Sequence, residues 1–139
     1  MNLIIGSHVS YNNKSQLLGS VKEALSYKAN TFMFYTGAPQ NTNRSVIEDS
    51  LTMEAYKLMK ENNIALEKVI VHAPYIVNLA NFNNFDFSVS FLINEVERCS
   101  TLGIKYLVLH PGSAVNCSRE EAINNISKGL NLILDNDYN

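Results

Sequence analysis

The chain has 139 residues, 46% hydrophobic and 17% charged, with a formal net charge of −2. That length holds one core, no apolar run approaches the roughly 20 residues of a membrane helix, and no basic stretch leads into an apolar one at the N-terminus. A cytoplasmic domain without a membrane partner is therefore expected, and the scattered Lys and Arg leave any DNA contact to local loops or a bound metal.

The first apolar run, Leu3 to Ile5, reads as a strand, with Gly6 and Ser7 placing His8 in the loop beyond it, as a site-rim or structural residue. A helical stripe of Leu17, Leu18, Val21, Ala24 and Leu25 follows. The second run, Thr31 to Tyr35, leads into "YTGAPQNTNR", where Gly37 and Pro39 shape a turn that would expose Gln40, Asn41, Thr42 and Arg44 to phosphate or sugar oxygens. A weaker stripe of Met53, Tyr56 and Met59 marks the second helix. The third run, Val69 to Val71, ends at His72 and continues as "HAPYIVNLAN", in which Tyr75 and Ile76 could project a ring and an aliphatic wedge into a duplex groove. On the residues alone, the plainer readings of these two loops, a polar surface turn and a core Tyr–Ile pair, are favoured.

The third helix carries Phe91, Leu92, Val96, Cys99 and Leu102, opened by Asp86 and closed by Gly103. Then comes Tyr106 to Leu109, which looks like a strand buried on both faces, followed by His110 and Pro-Gly. The last helix opens with a capping box, Ser118 with Glu121, ahead of Ala122, Ile123, Ile126, Leu130 and Leu134. Cys99 and Cys117 lie outside any CxxC spacing and are read as reduced thiols.

Apolar runs recurring every 30 to 40 residues or so, each followed by a helix, are the pattern of strands returning to a parallel sheet. The expected fold is α/β, four consecutive βα units in a single domain over 1–139. In such architectures functional groups gather at the carboxyl ends of the strands. His72 and His110 occupy two such ends, and neighbouring strands lie about 4.8 Å apart, so both rings could reach one zinc ion. From spacing alone, a ligand pair and a pair of hydrogen-bonded structural histidines stand level. Two imidazoles do not complete a catalytic zinc site, which usually takes three protein ligands.

The segments "IGSHVS", "FMFYTGAPQNT", "VHAPYIVNLAN" and "LVLHPGS", in this order and spacing, resemble endonuclease IV, the apurinic/apyrimidinic endonuclease family 2 of base-excision repair. The resemblance implies half, the N-terminal half, of a (β/α)8 TIM barrel with three zinc ions at its carboxyl face. By position, His72 and His110 match two ligands of one zinc. Gln40, Asn41 and Arg44, with Tyr75 and Ile76, match loops that enter the minor groove of DNA containing an abasic site. The implied reaction is metal-dependent hydrolysis of the phosphodiester 5′ to the abasic sugar, with no catalytic residues beyond the metal ligands.

A barrel of eight units takes about 250 residues. Four are present, and the family's later ligand motifs have no match here, which leaves at most one partial zinc site. The chain alone is therefore expected to be inactive. Two alternatives remain: a non-catalytic half-barrel module, and a fragment of a metal-dependent sugar isomerase-like barrel, against which "YTGAPQNT" and "HAPY" speak. Unpaired strand edges would also favour self-association.

Overall fold

Four short parallel strands, in the spatial order β1-β2-β3-β4, form the only sheet of the computed structural model among its described residues, 3–136. The single-domain expectation also takes in residues 1–2 and 137–139, which lie outside those described. The strands are β1 (Gly6–His8), β2 (Thr31–Phe34), β3 (Ile70–His72) and β4 (Tyr106–Val108). Each leads into a helix: α1 (Gln16–Ser26), α2 (Asp49–Glu61), α3 (Phe85–Thr101) and α4 (Arg119–Leu134). This is the α/β pattern of four βα units, half the count of a (β/α)8 barrel.

The first strand is displaced from its expected place. Leu3 to Ile5 lies outside the paired residues of β1: Asn30 holds it, its N–H donating to Ile5 O at 3.0 Å while its side chain accepts from Ile5 N at 2.7 Å and donates to Leu3 O at 2.9 Å. Pairing begins at Gly6, opposite Thr31. There a side chain could not fit, since a Cβ on Gly6 would come 2.2 Å from Thr31 O. His8 is consequently the last residue of β1 rather than part of the loop after it.

Alternate residues of β2 and β3, with Val9 just past β1, turn toward the helices. Val9, Phe32, Phe34, Val69 and Val71 are buried with Leu17, Val21, Ala55, Met59, Cys99 and Leu102 in one cluster. A second cluster, Ala73, Val77, Leu79, Phe85, Val89, Phe91, Leu92 and Ile133, lies under the loop after β3 and extends to α4. Burial of each large side chain contributes about 1.5–3 kcal/mol, so these two clusters are the main source of stability. The opposite face of the sheet is not covered. Tyr106 and Val108 are 56% and 43% exposed, which corrects the reading of that run as buried on both faces. The helices pack on one side only.

The carboxyl ends of α1, α2 and α3 follow one rule. Gly103 has φ +62°, its N–H bonds to Ser100 O, and Ile104 N bonds to Cys99 O, the paired bonds of a Schellman motif. The same left-handed turn closes α1 at Lys28 (φ +57°) and α2 at Asn63 (φ +57°), with Ala29 N bonded to Ala24 O and Ile64 N to Met59 O. Three helices are thus turned back toward the sheet by the same device. At its other end α4 has the expected capping box, Ser118 Oγ accepting from Glu121 N while Glu121 accepts from Ser118 N. Among the described residues no helix is long and apolar enough to cross a membrane.

Candidate metal and nucleic-acid face

The strand register decides which side chains meet. His8 pairs with Met33, Phe34 with Val71, and His72 with Val108. Tyr35, one residue beyond β2, therefore lies level with His72. The rings follow from this: His8 and Tyr35 have centroids 4.6 Å apart, Tyr35 and His72 5.3 Å. Three aromatic rings form a row across β1, β2 and β3 on the uncovered face at the carboxyl ends. His110 lies two residues past Val108, the partner of His72, so the two expected ligands are not directly opposite each other. Leu107 and Leu109 both pack on the second apolar cluster, and alternation along an extended chain would put His110 on the opposite side, the one His72 occupies.

The electrostatics of the row are set by burial. His8 is held below the usual imidazole value first by burial and then by His72, against the opposing pull of Glu23. Glu23 in turn accepts from both the amide and the hydroxyl of Ser10, which tethers the loop after β1 to α1 and holds its carboxyl below the usual range. His72 Nδ1 lies 2.6 Å from Ala73 O. A carbonyl only accepts, so Nδ1 carries a proton, and in the neutral ring Nε2 is then the nitrogen left to bind a metal. Among the described residues no three His, Cys, Asp or Glu side chains are close enough to share a metal ion. A complete zinc donor set is therefore not assembled among the described residues.

The loop after β2 differs from its expected role in one residue. Gln40 and Asn41 are exposed. Arg44 is not: its side chain is 5% exposed, with Nε 2.5 Å from Glu95 Oε1 and Nη1 donating to the carbonyls of Ala38, Asn41 and Asn43. The guanidinium also lies 4.8 Å over the Phe91 ring. Arg44 is thus committed to shaping the loop from within, and the expectation that it contacts phosphate is corrected: its charge is already neutralised by a buried carboxylate.

Glu95 is fully buried. It accepts from Thr36 Oγ1 at 2.8 Å, and Thr36 in turn accepts from Arg98 Nε at its hydroxyl and from Arg98 Nη2 at its carbonyl. The sequence held a signal for this network. Glu95 and Arg98 fall in the apolar phase of α3, between Leu92 and Leu102, where a charge has to find a buried partner.

The loop after β3 presents Tyr75 to solvent, 59% exposed, while Ile76 is half-buried on the second apolar cluster. Asn78, a few residues on, joins this loop to the one carrying His110. Its Nδ2 donates to Ser113 O at 3.0 Å, and its Oδ1 accepts from Ser113 N at 3.2 Å and from Ala80 N at 3.0 Å. Asn78 went unnoticed in the sequence because an Asn among apolar residues carries no motif.

Comparison with known proteins adds the family context. The family described as xylose isomerase-like TIM barrel matches residues 21–137. The chain is 56% identical over 136 residues to a protein of Acholeplasma laidlawii (strain PG-8A) named probable endonuclease 4, covering 96% of this chain and 46% of that protein. A protein of the same name from Bacillus subtilis (strain 168) is 50% identical over 141 residues, covering 99% and 46%. Among solved structures, endonuclease IV from Thermus thermophilus superposes with a TM-score of 0.73 at 26% identity, over 95% of this chain and 48% of that one. The chain spans about half the length of the curated relatives it matches.

Proposed function

Because this chain belongs to the xylose isomerase-like TIM-barrel family, we propose that its uncovered strand-end face is part of an endonuclease IV site acting on DNA that contains abasic sites, in the cytoplasm. The observation that carries the reading is the disposition of His72: it ends β3 opposite Val108, two residues before His110, and its Nδ1 lies 2.6 Å from Ala73 O, which leaves Nε2 as the nitrogen for a metal. The names of relatives at 50% and 56% identity supply the reaction class.

In this reading His72 and His110 hold one zinc ion through ring nitrogens, and residues 1–139 act as one domain. When bound, zinc supplies Lewis-acid polarisation of a phosphoryl oxygen and a nucleophile at neutral pH. The chain's own contribution is positional. Ala73 O fixes the tautomer and aim of His72. Gln40 and Asn41 offer amides to backbone oxygens, and exposed Tyr75 offers a ring to a groove, with half-buried Ile76 behind it. Arg44 holds the Gln40 loop in shape. Two neutral imidazoles leave the cation's charge unbalanced and its remaining positions to water, so metal binding by these residues is weak.

Incision of an abasic duplex is proposed for a protein of the relatives' length. For this chain alone, a non-catalytic half-barrel is the second reading, favoured by a donor set that stops short of three ligands among the described residues. A sugar isomerase-like role has only the family description behind it.

Purified chain with zinc and a labelled abasic duplex should give no incision above background. Cobalt titration should show weak binding that either His72→Ala or His110→Ala removes. Metal-dependent incision abolished by His110→Ala would overturn the claim of inactivity, and binding that survives both substitutions would place the metal elsewhere.

A further inference from the structure

We infer that Asn78 is a positioning residue, clipping the loop that carries His110 onto the loop that follows His72, the last residue of β3, and so setting where the His110 imidazole stands relative to that of His72. The inference rests on the reading of both histidines as metal ligands.

Two stretches run beside each other beyond the sheet, Ala73 to Asn78 after β3 and Val108 to Ser113 at the end of β4. At the near end they are joined by the backbone bond from Ala73 N to Val108 O, 2.8 Å. At the far end the Asn78 side chain makes a two-way amide pairing with Ser113, donating to its carbonyl and accepting from its N–H. His110 lies between these two attachments on one arm, and Tyr75 and Ile76 lie between them on the other. Pro111, next to His110, has no N–H with which to extend the ladder. The far attachment therefore has to come from a side chain.

Asn suits the task better than any neighbour in size. Its Oδ1 takes two N–H groups, of Ser113 and Ala80, while Nδ2 supplies the donor that Ser113 O requires. Asn78 is itself anchored, since Ser88 Oγ on α3, fully buried, lies 3.4 Å from both its N and its O. Gly112 is the matching half of the clip. It has φ +115°, and a Cβ there would come 2.0 Å from Asn78 Oδ1. The carboxylate of Asp at position 78 would keep both acceptor bonds but set an oxygen against Ser113 O, whereas Ala would remove all three bonds.

Amide hydrogen exchange at Ser113 and cobalt titration, both on the 139-residue chain, test this. In Asn78→Ala, exchange at Ser113 should rise at least about tenfold while amides in the middle of α3 keep their protection. Cobalt affinity should fall roughly 10- to 100-fold, the usual effect of losing an outer support of a metal ligand. Asn78→Asp should lie between Ala and the parent in both readouts. Unchanged Ser113 exchange would overturn the clip, and raised exchange with unchanged cobalt affinity would overturn its positioning role. If the parent chain shows no cobalt binding dependent on His72 and His110, the metal reading fails by itself, and the clip is decided by Ser113 exchange alone.

Discussion

Arg44 and Glu95 show how a residue's chemistry is redirected by a partner far away in sequence. An arginine in a polar, Pro- and Gly-containing loop is ordinarily a surface group. Here it meets a carboxylate 51 residues away on α3 and is buried with it. A buried ion pair is costly to assemble, and removing one partner strands the other in a low-dielectric site at a cost of about 3–5 kcal/mol. Glu95→Ala should accordingly destabilise the chain by about that much in urea unfolding, whereas Glu97→Ala, an exposed carboxylate two positions on, should change stability by less than about 0.5 kcal/mol. Comparable effects of the two would mean that Glu95 is hydrated in solution. The guanidinium lies outside the reach of local reasoning for the same reason: its loop does not name its partner, and only the phase of Glu95 on α3 hints at it. The place of His72 at a strand end was legible because it ends an apolar run; His8 was misplaced by the shift of the first strand.

At the level of elements, the order of strands and helices could be read from the alternation of apolar runs and helical stripes, since each depends on periodicity within a short window. Boundaries were less legible where a side chain shares in holding the backbone, as that of Asn30 does for Leu3 and Ile5, or where backbones must approach closely, as at Gly6. The three Schellman turns divide the same way. Gly103 announces its left-handed backbone; Lys28 and Asn63 adopt that backbone without announcing it. Left-handed φ costs an L-residue about 1–2 kcal/mol, partly offset for glycine by its freedom in the unfolded chain. Lys28→Gly should therefore stabilise by about 0.5–1 kcal/mol. Gly103→Ala should destabilise by at least about 1 kcal/mol, since its Cβ would also meet the Tyr56 hydroxyl at 2.8 Å. Urea midpoints at unchanged slope would measure both. A destabilising Lys28→Gly would show that the Lys28 side chain contributes more than the backbone strain removes.

For the whole molecule, the decisive feature is a four-stranded parallel sheet covered on one face. Among the described strands β1 pairs only with β2 and β4 only with β3, so both outer edges present free N–H and C=O groups. Neither strand carries the proline or charge that blunts an edge: β1 reads Gly-Ser-His and β4 Tyr-Leu-Val. Tyr106 and Val108 add apolar surface on the uncovered face, and an open apolar groove of about 700 Å³ runs between α3, β4 and α4. Two copies related by a twofold axis could place β4 of each beside β1 of the other, both parallel, and complete eight strands with every carboxyl end at one mouth. That arrangement would also bring the two His72–His110 pairs to the same end of the barrel. Sedimentation equilibrium should accordingly give a mass near twice the 15.6 kDa of the chain, or larger aggregates. A charge placed at the centre of the contact, in Tyr106→Lys, should shift the population toward monomer. A parent chain that is monodisperse at 15.6 kDa and unfolds cooperatively would mean that the edges and the open face are satisfied within one copy, and the pairing of copies would be wrong.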